Sequence, residues 1–481
     1  MLFNSLSFLV FLPIVFILYW FIFNKSLKIQ NMLLLAASYY FYSCWDWRFV
    51  FLLAFSTLLD YYSGLAIYNA SKISTKKMWL TISVVINLGF LGVFKYYNFF
   101  ADSFAELLNG VGVQSHFTVL QVILPVGISF YTFHGLSYVF DIYNNKIKPT
   151  ENVVQYSLFV SFFPLLVAGP IERATHLLPQ MEKKRVFNYT QGVDGLKQIL
   201  WGLFKKIVIA DNCAHFANEI FNNSDAYSGS TLVLGALLFT FQIYGDFSGY
   251  SDIALGVARL FGFELIKNFS FPYFSRDIAE FWRRWHISLS SWFRDYLYYP
   301  LGGSRGSTWL RVRNTFIIFI VSGFWHGANW TFLIWGALNA LFIMPSIIFK
   351  TNRNNLEIVA KGRLLPSIRE LFQMGITFML TVFAWIFFRA ETVKQAIRII
   401  RNIFTKQLFT NPLQTRLSVI CVILVTIFMV IEWIGREQNY AIESLGSSLP
   451  RTVRLAFYSF ILFSIGMFME TGVTEFIYFQ F

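Results

Sequence analysis

Residues 281–305 read FWRRWHISLSSWFRDYLYYPLGGSR, and residues 321–330 read VSGFWHGANW. The two stretches hold His286 and His326, two of six histidines in the chain. With Arg311 and Arg313 between them, they also carry its densest run of arginine: Arg283, Arg284, Arg294 and Arg305. At about 100° per residue, Trp282, Trp285, Leu289, Trp292, Phe293 and Tyr296 fall on one narrow stripe. Arg283, Ser290 and Arg294 lie on the opposite flank, with His286 at the border. That pattern predicts one amphipathic helix lying at a membrane surface. Residues 316–349 are nearly continuous apolar sequence. At ~1.5 Å per residue they would make roughly 50 Å of helix, too long for a single pass through a hydrocarbon core of ~30 Å. The run therefore has to break, and Gly323 and Gly327 are the expected places. His326 lies between them, flanked by Trp325 and Trp330. A break at membrane depth is tolerated only inside protein or beside a water-filled cavity.

Composition sets the class. Of 481 residues, 56% are hydrophobic, 20% aromatic and only 14% charged. Soluble domains carry about 25% charged residues, so the chain reads as an all-α polytopic membrane protein. The net charge of +13 comes from 39 basic against 26 acidic residues. These basic groups sit in short loops between apolar runs, which is a positive-inside pattern and not a nucleic-acid surface. Cys44, Cys213 and Cys421 show no metal spacing and are expected to be buried thiols.

Outward from the central stretch, the apolar runs count to about eleven to thirteen membrane-entering segments, some broken or re-entrant. Residues 2–23 lack a basic leader and a small-residue cleavage site, so they read as a retained span. Residues 78–94 return after the basic loop of Lys72, Lys76 and Lys77, and Asp102 and Glu106 are expected in an acidic outer loop. Residues 117–140 are interrupted by Pro125 and Gly127. Lys205 and Lys206 fall in the middle of an apolar segment and should snorkel or face protein. Asp246 and Asp252 lie in a glycine- and serine-rich segment. Each needs a partner if buried, and an arginine of the central stretch is the expected one. Residues 350–369 form a polar loop before the last spans. Loop charge places the N-terminus outside and residues 276–313 in the cytoplasm.

Several motifs coincide with one family. WRRWHISLSSWFRDYLYYPLGGSR and SGFWHGANW resemble the membrane-bound O-acyltransferases, and within them the bacterial alginate O-acetyltransferase group. LPVGISFYTFHGLSYVFDIY from Leu124, FFPLLVAGPIER from Phe162 and GDFSGYSDIALG from Gly245 add to the likeness, which fades after about Lys350. The resemblance implies a single integral-membrane acyltransferase domain over 1–481. Residues 124–349 would be its motif-bearing core and 350–481 its C-terminal spans.

The resemblance implies that His326 is the catalytic base and that His286 holds a second polar position. From position alone, His326 reads as a structural histidine. Arg283, Arg294, Asp295, Trp325, Asn329 and Asp246 are the supporting or donor-binding candidates. The arginines suit lipid phosphates or those of a soluble acyl donor. Ser322 and Asn329 would share the face of His326 if the helix ran on through Gly327. His116, His134, His176 and His215 read as structural or loop residues. No metal is expected and no tightly bound cofactor; acetyl-CoA, or a donor derived from it, is the expected substrate. The bilayer and an exported acetyltransferase acting on polysaccharide are the expected partners, and the bacterial cytoplasmic (inner) membrane is the expected location. Peptidoglycan O-acetylation and teichoic acid D-alanylation stay open as alternatives. So does a transporter without covalent chemistry, which also uses broken helices.

Overall fold

The computed structural model describes residues 1–112, 123–412, 416–444, 450–469 and 476–477, and every described element is helical. The chain divides into two compact units, Met1–Tyr189 with Ala258–Ile266, and Thr190–Val257 with Lys267–Phe481.

In the first unit the helices are α1 (Leu6–Ile17), α2 (Leu27–Ser43), α3 (Arg48–Asn69), α4 (Ile73–Leu91), α5 (Tyr97–Gly110), α6 (Ile128–Tyr143), α7 (Val153–Ser161), α8 (Phe163–Leu166) and α9 (Ala174–Glu182). Ser5 and Ser26 cap α1 and α2 by accepting from Phe8 and Ile29 amides. Asp102 and Glu106, expected in a loop, lie on α5, because the helix begun at Ile73 runs on as far as Gly110. His116 and residues 117–122 fall outside the described residues. The Pro125–Gly127 interruption holds: α6 starts only at Ile128. Gly127 has a φ of 76°, and a β-carbon there would lie 2.2 Å from the Leu166 carbonyl oxygen, so only glycine fits. Polar groups buried in a span must satisfy one another. Asp60 of α3 accepts from Ser83 Oγ and Asn87 Nδ2 of α4, at 2.6 and 2.7 Å.

The second unit holds all but the first residue of α10 (Tyr189–Leu203), α11 (Asp211–Asn222), most of α12 (Gly229–Leu260), α13 (Ile278–Arg284), α14 (Ile287–Phe293), α15 (Thr308–His326), α16 (Trp330–Ile348), α17 (Ile368–Arg389), α18 (Val393–Ile403), α19 (Arg416–Ile434) and α20 (Arg451–Phe468). Small residues let backbones approach. A β-carbon on Gly249 of α12 would stand 2.8 Å from the carbonyl oxygen of Gly202 on α10. That approach seats Lys205 and Lys206 against α12, facing protein. Six helical stretches among the described residues are long and apolar enough to cross a bilayer: α3, Ile73–Gly110, α12, α16, α17 and α20. Leu6–Ile22 and Ser418–Ile434 are apolar but shorter. Cys213 and Cys421, distant in sequence, meet with sulfurs 3.7 Å apart, while Cys44 is exposed and not buried as expected.

Candidate active site

The over-long apolar run breaks at Gly327. Helix α15 ends on His326, Gly327 is extended (φ −168°), and Asn329 caps the start of α16. Gly323 is not a break but a crossing point. A β-carbon there would lie 2.3 Å from the Phe332 carbonyl oxygen, and one on Gly336 would lie 2.3 Å from that of Phe319. The two helices therefore double back in close contact, and the hairpin leaves His326 at the end of α15, 4% exposed. Its ring lies 4.9 Å from that of Trp325, 5.0 Å from Trp335 of α16 and 5.3 Å from Phe388 of α17, between centroids. Ser322 shares its helical face. Asn329 does not, because the helix stops. Its oxygen caps Thr331 at 3.0 Å and its amide donates to the Glu391 carbonyl at 2.8 Å.

The single amphipathic helix expected over 282–296 is two short helices, α13 and α14. They part at His286, which adopts a left-handed backbone (φ 44°, ψ 54°). A non-glycine residue there costs roughly 1–2 kcal/mol, so something has to hold it. Asn268 does. Its carbonyl oxygen accepts from the Ile287 amide at 2.9 Å. Its Oδ1 lies 3.3 Å from the Ser288 amide, 2.9 Å from Ser288 Oγ and 3.0 Å from His286 Nδ1. The turn carries His286 inward, to 1% exposed, instead of leaving it on the border of an interfacial helix. Phe247 of α12 lies edge-on to the ring at 4.7 Å, and Trp325 at 5.9 Å. His286 Nε2 has no hydrogen-bond partner among the described residues. Burial pushes this imidazole down to about 3, so it is neutral at physiological pH.

Trp325 is thus the residue that unites the two histidines: its indole contacts both rings. On the other side of His326, Trp335 stacks on Trp385 at 5.7 Å, and Trp385 packs on Trp285 at 5.1 Å. Trp330, by contrast, is largely exposed. The result is two imidazoles in an aromatic, water-poor enclosure within the second unit, an arrangement suited to moving a proton at a reacting hydroxyl. Among the described residues no group of three or more His, Cys, Asp or Glu side chains gathers to hold a metal.

The supporting candidates fall in different places. Arg283 turns to the polar loop, donating to the carbonyls of Asn352 and Asn355 at 2.7 and 2.8 Å. Arg276 and Arg284 clamp the buried Glu280 at 3.0 and 2.9 Å. Arg294 is half-exposed and pairs with Asp295 at 2.9 Å. Asp246 and Asp252 are paired, but with lysines and not with central arginines. Lys206 Nζ is 2.7 Å from Asp246 and 2.9 Å from Asp211, and Lys205 Nζ is 2.5 Å from Asp252. The glycine-mediated packing of α10 against α12 brings those lysines closer than any arginine. His134 is fully buried in α6, His176 pairs with Glu172 at 2.8 Å, and His215 lies beside Phe216.

Residues that sequence reasoning passed over are Asn268, Ser288, Ser251, Trp335, Trp385 and Phe388. Ser288 carried a signal, a hydroxyl two positions after His286; Asn268, eighteen positions before that histidine, carried none. Asn268 Nδ2 also reaches Ser251 Oγ of α12 at 3.3 Å, which ties the GDFSGYSD segment to His286.

Residues 146–389 match the model of the membrane-bound O-acyltransferase family. The chain is similar to a probable alginate O-acetylase AlgI of Azotobacter vinelandii, 40% identical over 84% of this chain and 78% of that one. It is similar to a peptidoglycan O-acetyltransferase of Helicobacter pylori at 35% identity over 84% and 79%. It also resembles a teichoic acid D-alanyltransferase of Bacillus subtilis, 27% identical over 58% and 72%. With two buried histidines joined across one tryptophan, and relatives of this extent, the chain belongs to the membrane-bound O-acyltransferases and is a multi-pass membrane acyltransferase.

Proposed function

We propose that this protein takes acetyl from a cytoplasmic donor, acetyl-CoA or a compound derived from it, and delivers it towards polysaccharide outside the bacterial cytoplasmic membrane. His326 is the base and His286 assists. The observation that carries the reading is the enclosure around Trp325, where two buried imidazoles converge. In the reaction, the acceptor hydroxyl oxygen forms a bond to the acetyl carbonyl carbon as the donor's thioester bond breaks. His326 takes the hydroxyl proton and returns it to the leaving thiolate, so the imidazole ends neutral. A dry, aromatic surrounding strengthens each polar interaction made there. Arg294 and Asp295, at the surface of the second unit, are the donor-side candidates, whereas the fork of Arg283 is turned to the polar loop.

Acetyl is favoured over D-alanyl by the relatives: 40% and 35% identity to proteins named for O-acetylation against 27% to one named for D-alanyl transfer. An alginate-like exopolysaccharide is the final acceptor we favour, and a separate exported acetyltransferase carries the acetyl to it from the hydroxyl acylated at His326. His326→Gln tests the mechanism, because glutamine keeps most of the volume but cannot accept the proton at neutral pH. In cells producing the polymer, the variant should be inserted at normal level while ester-linked acetate falls ~10²–10⁴-fold. A stable variant with near-normal acetylation would overturn His326 as base.

A further inference from the structure

We infer that Asn268 is a positioning residue that fixes the tautomer of His286, leaving Nε2 as the basic nitrogen of that ring. The inference rests on the proposal that His286 takes part in acyl transfer. The hydrogen-bond geometry leads to it in three steps. First, the Ser288 backbone amide can only donate, and it points at one terminal atom of the Asn268 side chain at 3.3 Å. That atom is therefore the oxygen, and the amide nitrogen is the end directed at Ser251 Oγ. Second, a carboxamide oxygen only accepts. His286 Nδ1, at 3.0 Å from it, must carry a hydrogen and donate. Third, a neutral imidazole has one hydrogen, so Nε2 is bare. It is also the ring nitrogen with no partner among the described residues.

The same asparagine holds the ring's backbone. Its carbonyl oxygen takes the Ile287 amide at 2.9 Å, immediately after the left-handed turn at His286. Ser288 Oγ donates to the same Oδ1 at 2.9 Å, so three donors converge on it. Orienting a histidine through Nδ1 while Nε2 does the chemistry is the division of labour seen wherever a histidine base has an asparagine or carboxylate behind it. The orienting residue here stands directly before the Phe269–Trp285 packing and reaches Ser251 on α12, so the motif segment around Gly249 contributes to the site through it.

The test uses the full chain in bilayers with 15N-labelled histidine rings. The His286 signals are assigned by their loss in His286→Gln. In the wild type, Nδ1 should be protonated and Nε2 unprotonated at neutral pH. Asn268→Asp, which keeps an acceptor, should show the same tautomer. Asn268→Leu removes the acceptor, should shift the proton wholly or partly to Nε2, and should lower the turnover of acyl transfer ~10²-fold with half-saturation unchanged. A wild-type His286 protonated on Nε2 overturns the inference outright, whatever the variants do. If His286→Gln abolishes transfer while Asn268→Leu keeps the rate, the positioning role falls and the reading of His286 stands. If His286→Gln transfers normally, the reading of His286 in the reaction falls, and with it the role assigned to Asn268.

Discussion

Replacing Asp252 by asparagine should be among the most damaging single changes outside the histidine enclosure. Lys205 is almost fully buried, with its ammonium 2.5 Å from Asp252 and 3.0 Å from Ser248 Oγ. Two unit charges ~4 Å apart in a partly buried site with an effective dielectric of ~20 attract by about 4 kcal/mol. Removing one partner of a buried pair leaves the other ion uncompensated, and such changes cost about 3–5 kcal/mol. Asp252→Asn should lose up to that amount, because the buried Glu432 carboxylate also attracts Lys205. The double change Lys205→Met with Asp252→Leu removes both charges and should return to within about 1 kcal/mol of the wild type. Unfolding of the purified chain by SDS in mixed micelles gives the free energies, and a double-mutant cycle gives the coupling. Single costs that simply add in the double variant would refute the pairing. Asp252 also follows Ser251, which receives Asn268, so Asp252→Asn should broaden the His286 signals as well.

Three other outcomes are expected. A cysteine at Ser304, an exposed position between α14 and α15, should resist impermeant thiol reagents applied to intact cells lacking the native cysteines. Labelling from outside would invert the orientation drawn from loop charge. Gly323→Leu should empty the membrane of folded protein, since even a methyl there would lie 2.3 Å from a carbonyl oxygen. Gly375→Leu on α17, where a β-carbon meets nothing within 4 Å, should accumulate normally. Equal abundance of the two would show that the α15–α16 crossing is looser than described. Finally, buried His286 titrates near 3 in the folded chain against 6.5 when unfolded. Because the folded value is the lower one, the unfolded chain takes the proton first. The associated stability is intact above pH 6.5 and falls by about 1.4 kcal/mol per unit below it until about pH 3. Between pH 7 and 5, His286→Gln should therefore lose about 2 kcal/mol less than the wild type, and parallel losses would place His286 in contact with water.

Much of this was legible in the sequence. Length and hydropathy alone required a break in residues 316–349, and the break stands at Gly327, beside the histidine. They did not separate Gly323 from Gly327. Both glycines sit where a side chain has no room, but one ends the helix and the other lets a second helix cross it, and the difference is that the Phe332 ring faces Gly327 while the Phe332 backbone faces Gly323. The lysines at 205 and 206 were expected to snorkel or to face protein, and they face protein. Their carboxylate partners were misassigned because charge type says nothing of which helix comes nearest. Glycines 202 and 249 decide that, and their meaning appears only when the two helices are side by side.

The clearest failure concerns His286, and its cause is physical. Periodicity is an argument about a continuous helix, and across 282–296 it gave a convincing aromatic stripe. An extended Trp285 followed by a left-handed His286 resets the phase, so everything after them turns to a different face. Histidine is among the few non-glycine residues enriched in that conformation, but the preference is too weak to announce the turn from the stretch itself. The instruction comes from Asn268, eighteen positions earlier, which takes the amides of Ile287 and Ser288 that an unbroken helix would have directed at its own carbonyls. The rest of the turn's geometry then follows. Arg283 remains on the polar side with the loop carbonyls, Trp285 is buried, and His286 faces the ring of Trp325. A strained backbone maintained by a buried asparagine is costly to build into a membrane protein. It persists where the position of one side chain matters more than the stability lost, and here that side chain is an imidazole aimed at the second histidine's enclosure.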